Sequence, residues 1–451
     1  MGEKRAATVL RETRRAALMT APLTFLFMPE SAYGPTNNCV GIGAELVKRG
    51  HRVVFAAEAS WAGKLAPLGF EEDLVDLAPP PEGDAAEQSA GQFWKDYINA
   101  IKPEFRKDTI EQLETVVAPI WQELIDGAKH CEPQLRDIIG RVQPDVIIED
   151  NVLCFPALVT AGKPFVRIVS CNPLEVRADG VAPVFSGLGE HEADQWATFR
   201  DEYDRTHRPM WEDFAAWVEA QGAPPLGDLD FIHSGVANLY VYPEELDYTD
   251  ARPPANTWTR LDSSVRDTDD AFELPEHLRN GDDPLIYFSL GSLGSADIAL
   301  VQSVLDALAD GPYRVIVSKG PRHDEFELPA NCWGEEFLPQ TRILPLVDLV
   351  ITHGGNNTTT EAMHFGKPMV LLPLFWDQYD NAQRVHECGY GRRLPTYGFT
   401  AVELRAAIDE QLSDAAHIER VRAAGEAIRA RDGLRRAADV LERVGAESRQ
   451  P

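Results

Sequence analysis

No apolar run in the 451 residues approaches the roughly 18 to 20 that a membrane-crossing helix needs, so no span is predicted. Cysteine is scarce as well. The six thiols, Cys39, Cys131, Cys154, Cys171, Cys332 and Cys388, fall in no CxxC or CxxxC spacing. Neither a disulfide framework nor a structural zinc site is expected, and a reducing, cytoplasmic setting is. Positive charge is also in short supply: 43 Lys and Arg stand against 72 Asp and Glu, a formal net charge of −29. The averaged field repels phosphate, which excludes nucleic acid and anionic membranes as partners, and any phosphate-bearing ligand has to be held by local dipoles. The opening stretch MGEKRAATVLRETRRAALMTAPLTFLFM has the basic-then-apolar order of a secretory signal, but Pro22 interrupts it and it runs straight into a strand-like TFLFM. Residues 1–20 are therefore read as a flexible extension ahead of the first strand.

What is present is a βαβ rhythm. The length is about three times the ~150 residues usual for one domain, so two large domains are expected. Short apolar runs (TFLFMP, HRVVFAAE, DVIIED, FVRIVS and NLYVYP, then LIYFSLGS, YRVIVSKG, DLVITHGG and MVLLPLF) alternate with amphipathic stretches. That predicts an α/β protein of two doubly wound units. Residues 21–250 form the first, 251–284 a Pro- and Asp-rich linker without regular periodicity, 285–430 the second, and 431–451 a C-terminal helix and tail. Helical insertions between Asp84 and Gly140 and between Gly187 and Gln221 carry Phe93, Trp94, Tyr97, Phe105, Trp121, Trp196, Trp211 and Phe214. Most such aromatics are core; some are candidates to line an apolar pocket.

The stretch from Phe337 to Asn381, FLPQTRILPLVDLVITHGGNNTTTEAMHFGKPMVLLPLFWDQYDN, holds the densest chemistry. DLVITHGG reads as a buried strand ending in a glycine turn, and NNTTTEAMHFG as the helix that follows. Freed N–H groups at the helix start, the positive end of its dipole and the Thr358 and Thr359 hydroxyls make an anion site, which Gly354 and Gly355 let a phosphate approach closely. A plain capped turn would use the same residue types.

At this point the sequence resembles the donor-binding signature of the UDP-glycosyltransferase family, of the bacterial macrolide and natural-product type. The matching pattern is Gln340, His353, Gly355, Asn357, Thr358, Glu361, Gly366, Pro368, Pro373, Asp377, Gln378 and Asn381. The resemblance implies a GT-B fold, two Rossmann-like domains facing a cleft with a C-terminal helix crossing back. It implies that His353 donates to the diphosphate, Asn357 and Thr358 contact the phosphate nearer the nucleoside, Glu361 accepts from the ribose hydroxyls, and Asp377 and Gln378 hold the sugar. Gln340 would sit by the nucleobase with Phe337 as the aromatic plane. Gly291 and Ser292 in SLGSLGS would approach the diphosphate, and Ser318 would lie near the base. The UDP-sugar is a co-substrate; no metal or other cofactor is implied.

The family's usual catalytic base, a His after the first strand, is missing: alignment on GIGAELVKRGHRVVF puts Pro35 there. His51 lies at the far edge of the sheet. Asp150, at the end of DVIIED, matches the family's orienting Asp and is the first candidate base, with Glu30 second. Asn37 and Asn38 can position an acceptor but cannot take a proton. A carboxylate with an ordinary pKa near 4 suits a phenolic or acidic acceptor hydroxyl. The expected activity is inverting transfer of a hexose, glucose by expectation, from UDP to a lipophilic, phenolic small molecule. A nucleotide-sugar-binding partner without catalysis and a sugar-nucleotide epimerase or hydrolase of the same fold are the alternatives.

Overall fold

The computed structural model describes residues 21–79, 100–252, 255–309 and 311–449. Two parallel sheets organise it. The first runs β3-β2-β1-β4-β5-β6-β7, with β1 Thr24–Pro29, β2 Arg52–Phe55, β3 Glu71–Glu72, β4 Val146–Asp150, β5 Phe165–Val169, β6 Ala237–Tyr240 and β7 Trp258–Arg260. The second runs β10-β9-β8-β11-β12-β13, with β8 Leu285–Ser289, β9 Arg314–Ser318, β10 Cys332–Glu335, β11 Leu349–Thr352, β12 Met369–Leu371 and β13 Gly391–Arg393. Central strands such as β4 (VIIED) and β8 (LIYFS) are buried at every position. Helices cover both faces, which is why these strands read as unbroken apolar runs.

In each sheet the strand order reverses beside the first strand, between β1 and β4 and between β8 and β11. Open α/β sheets leave a crevice at that switch point. The register brings Pro29 opposite Asp150 in one sheet and Ser289 opposite Thr352 in the other, so the turns after these strands rim the two crevices.

Helices α1 (Tyr33–Lys48), α2 (Ala118–Val142) and α3 (Trp196–Ala220) belong to the first unit. The second holds α4 (Ile298–Ala309), α5 (Asn356–His364), α6 (Gln378–Glu387), α7 (Ala401–Ser413) and α8 (Ala415–Arg431). The chain then turns at Asp432, in the left-handed region at φ 49°, into α9 (Gly433–Ser448). That helix lays Ala437, Ala438, Leu441 and Val444 into the core beneath β1 and α1, crossing back to the first unit. A Cβ on Gly433 would lie 2.0 Å from the Leu261 carbonyl and 2.3 Å from that of Ser263, so only glycine lets the helix start this close.

The segment expected to be a plain linker, 251–284, carries β7, which pairs with β6. Three residues are too few to show alternation in sequence, and the same holds for β3 and β13, while β10 (CWGE) is hardly apolar. The flexible extension at 1–20 and the aromatics Phe93, Trp94 and Tyr97 lie outside the described residues.

Candidate active site

Two adjoining cavities fill the space between the sheets. The larger, about 760 Å³, is walled mainly by the second unit. Gly291 and Ser292 follow β8, Ser318 ends β9, Phe337 and Gln340 precede β11, and His353 and Gly355 form the turn into α5. Asn357 and Thr358 come from the first turn of α5, and Asp377 and Gln378 from the entry to α6. No side chain caps the first turn of α5, which leaves its N–H groups and dipole available to an anion.

His353 sits between two glycines. A Cβ on Gly355 would meet its Nε2 at 2.5 Å, and one on Gly291, at φ 71°, would lie 2.9 Å from the same atom. Burial pushes the imidazole down to about 4, so it is neutral at pH 7, although the Ser289 carbonyl pulls the other way. Gln378 turns its Oε1 to the N–H groups of Leu374 and Phe375, at 3.0 and 3.3 Å. Its amide nitrogen has no partner among the described residues. Asp377 accepts through Oδ2 from the Asn172 N–H at 2.9 Å and from Asn381 Nδ2 at 3.2 Å, and its Oδ1 has no partner among the described residues. Burial raises this carboxyl to about 7. Trp376, just before it, has φ 61°, a conformation that costs a non-glycine residue of order 1 kcal/mol or more and tends to mark functional sites.

Two expectations for this wall need correction. Glu361 does not face the cavity: it is 1% exposed, with Oε1 accepting from Arg266 and Asn357 at 2.9 and 3.1 Å and Oε2 from Gln340 at 2.6 Å. Arg266, from the stretch between the units, reaches over α5 and occupies the acid. Thr359 is likewise fully buried; Thr358 alone of the pair lines the cavity.

The second cavity, about 540 Å³, lies toward the first unit and is mostly apolar, with Ile120, Leu124, Val152, Leu293 and Phe375 on its wall. Asp150 borders it, and Pro35, inside the first turn of α1, stands nearby on both walls. Asp150 Oδ2 accepts from Ser170 Oγ at 2.6 Å and lies 3.5 Å from Cys39 Sγ, while Oδ1 carries no partner among the described residues. Asn38 Nδ2 donates to the same Ser170 Oγ at 2.9 Å, so Asn38 and Ser170 hold the acid in place. Burial lifts Asp150 to about 7; the Ser170 and Cys39 hydrogen bonds act against this, and the charges of Glu175 and Glu30 add to it. The ordinary pKa assumed from sequence therefore does not hold, and with it goes the reason to require an acidic acceptor. Glu30 borders both cavities, its carboxylate accepting from Ser31 Oγ and the Ala32 N–H, each at 3.1 Å. His51 is remote, with Nε2 2.8 Å from Glu442 on α9.

None of the described insertion aromatics lines this cavity. Phe105 stacks on Phe375 at 4.8 Å and ties the insertion to the second unit, and Trp121 packs on Phe231 and Trp376. The aromatic wall is Tyr33, Trp61, Phe337, Phe375 and Trp376. Sequence reading missed Tyr33, which opens α1, and Trp61, which follows β2, because each is a single ring in its stretch of sequence. It missed Asn356, whose Nδ2 donates across the units to the Ser170 and Val241 carbonyls at 2.9 and 3.0 Å, because a helix-start Asn reads as a cap.

Comparison with known proteins agrees with this fold. Residues 302–432 match the family described as Erythromycin biosynthesis protein CIII-like, C-terminal domain. NDP-glycosyltransferase YjiC of Bacillus subtilis is 26% identical over 432 residues, covering 93% of this chain and 97% of that one. Oleandomycin glycosyltransferase of Streptomyces antibioticus is 26% identical over 431 residues, with 94% and 91% covered. The crystal structure of the kitacinnamycin glycosyltransferase superposes with a TM-score of 0.71 at 25% identity, covering 94% of this chain and 99% of that one. The chain has the GT-B fold and is a glycosyltransferase of the natural-product type, similar in sequence and structure to the UDP-glycosyltransferase family.

Proposed function

We propose that the enzyme moves a hexose, glucose in the first instance, from UDP to a hydroxyl of a lipophilic small molecule, with inversion at the anomeric carbon. The observation that carries this reading is the pairing of Asp150 and Asp377. Each is a buried acid with one oxygen that has no partner among the described residues, one from each unit, and both line the smaller cavity. Asp377 and the free amide of Gln378 receive sugar hydroxyls. Asp150 takes the proton as the acceptor oxygen attacks, and the departing diphosphate is met by the α5 N-terminus and His353. An acid near 7 is well matched to this task at neutral pH. Glu30 is the reserve base.

The test is mass spectrometry of products after incubation with UDP-glucose or dTDP-glucose and a panel of phenolic, steroidal and macrolide alcohols, beside the His353→Ala variant. A hexose adduct from UDP-glucose that vanishes in the variant is expected. Tight donor binding without adduct or hydrolysis would instead support a binding partner without catalysis, and an adduct from dTDP-glucose alone would replace the donor.

A further inference from the structure

Part of the smaller cavity is built from the segments after β1 and β2, where Tyr33, Trp61 and Lys64 also border the larger cavity and Glu58 lines the smaller one alone. Glu58 is 7% exposed and lines the cavity; its Oε2 accepts from the Ser60 N–H and hydroxyl, and its Oε1 has no partner among the described residues. Among the described residues no cation is paired with Glu58 or with Glu30, and the charge of Glu58 is felt at Glu30. The two acids share the wall with two rings: Trp61 lies 5.2 Å from Tyr33 between centroids and donates its Nε1–H to the Ser31 carbonyl at 3.1 Å. The Lys64 ammonium lies 5.5 Å from the centroid of each ring, so a cation already rests on these faces.

Aromatic faces beside an unpaired, largely dehydrated carboxylate form the arrangement that holds an ammonium group, by ring quadrupole on one side and charge on the other. A neutral lipophile would gain nothing from Glu58 Oε1 and would leave it dehydrated without a partner. A carboxylate-bearing acceptor would meet Glu30, Glu58 and Asp150 in one small cavity.

We infer that the acceptor carries a protonated amine, seated between Glu58 and the Trp61 and Tyr33 rings, while its hydroxyl faces Asp150. The inference rests on the proposed reading of this cavity as the acceptor site. Lys64 is then a competitor for the same faces, displaced outward when the amine enters.

Three probes of one shape test it: 4-(2-dimethylaminoethyl)phenol as the cation, 4-(3-methylbutyl)phenol as its neutral counterpart and 3-(4-hydroxyphenyl)propanoate as the anion. Calorimetric binding to the UDP-loaded protein and transfer from UDP-glucose are measured separately. The cation is expected to bind about tenfold more tightly than the neutral probe, with the anion weakest. Glu58→Gln, which keeps an acceptor for Ser60, should bring the two phenols within about twofold of each other without changing the neutral probe. Lys64→Met, on the exposed rim, should widen the cation's advantage. Equal affinity of cation and neutral probe in the unmodified enzyme, no binding of the cation, or an advantage that survives Glu58→Gln overturns the inference. Preferential binding of the cation without transfer of glucose sustains it and tells against the proposed donor instead.

Discussion

The two glycines around His353 make a prediction that can be worked through. Gly355 has φ −58° and ψ 140°, values an alanine adopts freely, so Gly355→Ala introduces no backbone strain and its effect is contact alone. The new Cβ would stand 2.5 Å from His353 Nε2, about 1 Å inside the ordinary contact distance. Either the imidazole or the turn into α5 therefore shifts by roughly 1 Å. At a site that must meet a diphosphate, such a displacement costs about a hundredfold in kcat/KM, or about 2.7 kcal/mol. His353→Ala by itself removes one charge-assisted hydrogen bond, about 1.5–3 kcal/mol. With the ring gone, the alanine at 355 has nothing to strike, so the double variant should match His353→Ala. The coupling energy is then about 2–3 kcal/mol, large even for residues in contact. UDP affinity by calorimetry and steady-state kcat/KM would both report it. Additivity within about 0.5 kcal/mol, or a Gly355→Ala enzyme within threefold of the unmodified one, would refute the steric reasoning.

Asp150→Asn should lower transfer by about two to four orders of magnitude while UDP binding stays the same, and the unmodified enzyme should show the rising limb of its pH profile near 7 rather than near 4. The same raised pKa has a thermodynamic consequence. Asp150 contributes stability that is complete below about 4, where the unfolded state is also protonated, and is lost as pH climbs through about 7. Melting temperature measured across that window should therefore fall in the unmodified protein relative to Asp150→Asn. Arg266→Ala leaves Glu361 buried and without its cation, a loss of roughly 3–5 kcal/mol in urea unfolding, whereas a change under 1 kcal/mol would mean the pair is not formed. Gly433→Ala drives a methyl into two carbonyls and should unseat α9, destabilising the protein by about 1–3 kcal/mol with helical content by circular dichroism preserved.

The sequence by itself determined the class of fold, the succession of the major strands and the glycine turn that opens α5. These depend on local rules: a parallel sheet covered on both faces needs continuous apolar strands, and a diphosphate needs a glycine turn opening a helix, so both leave contiguous strings such as DLVITHGGNNTTTE. Tertiary structure alone decided what stands across from what. Glu361 matches its motif position, yet Arg266, 95 residues away, covers it. Asp150 has an ordinary carboxyl until folding buries it against Ser170 and Cys39 and raises it to about 7. The aromatic wall brings Tyr33 and Trp61, 28 residues apart, together with Phe337, Phe375 and Trp376, and takes nothing from the described helical insertions that are rich in rings. Burial, charge and proximity between distant segments are properties of the assembled chain, and no local pattern encodes them.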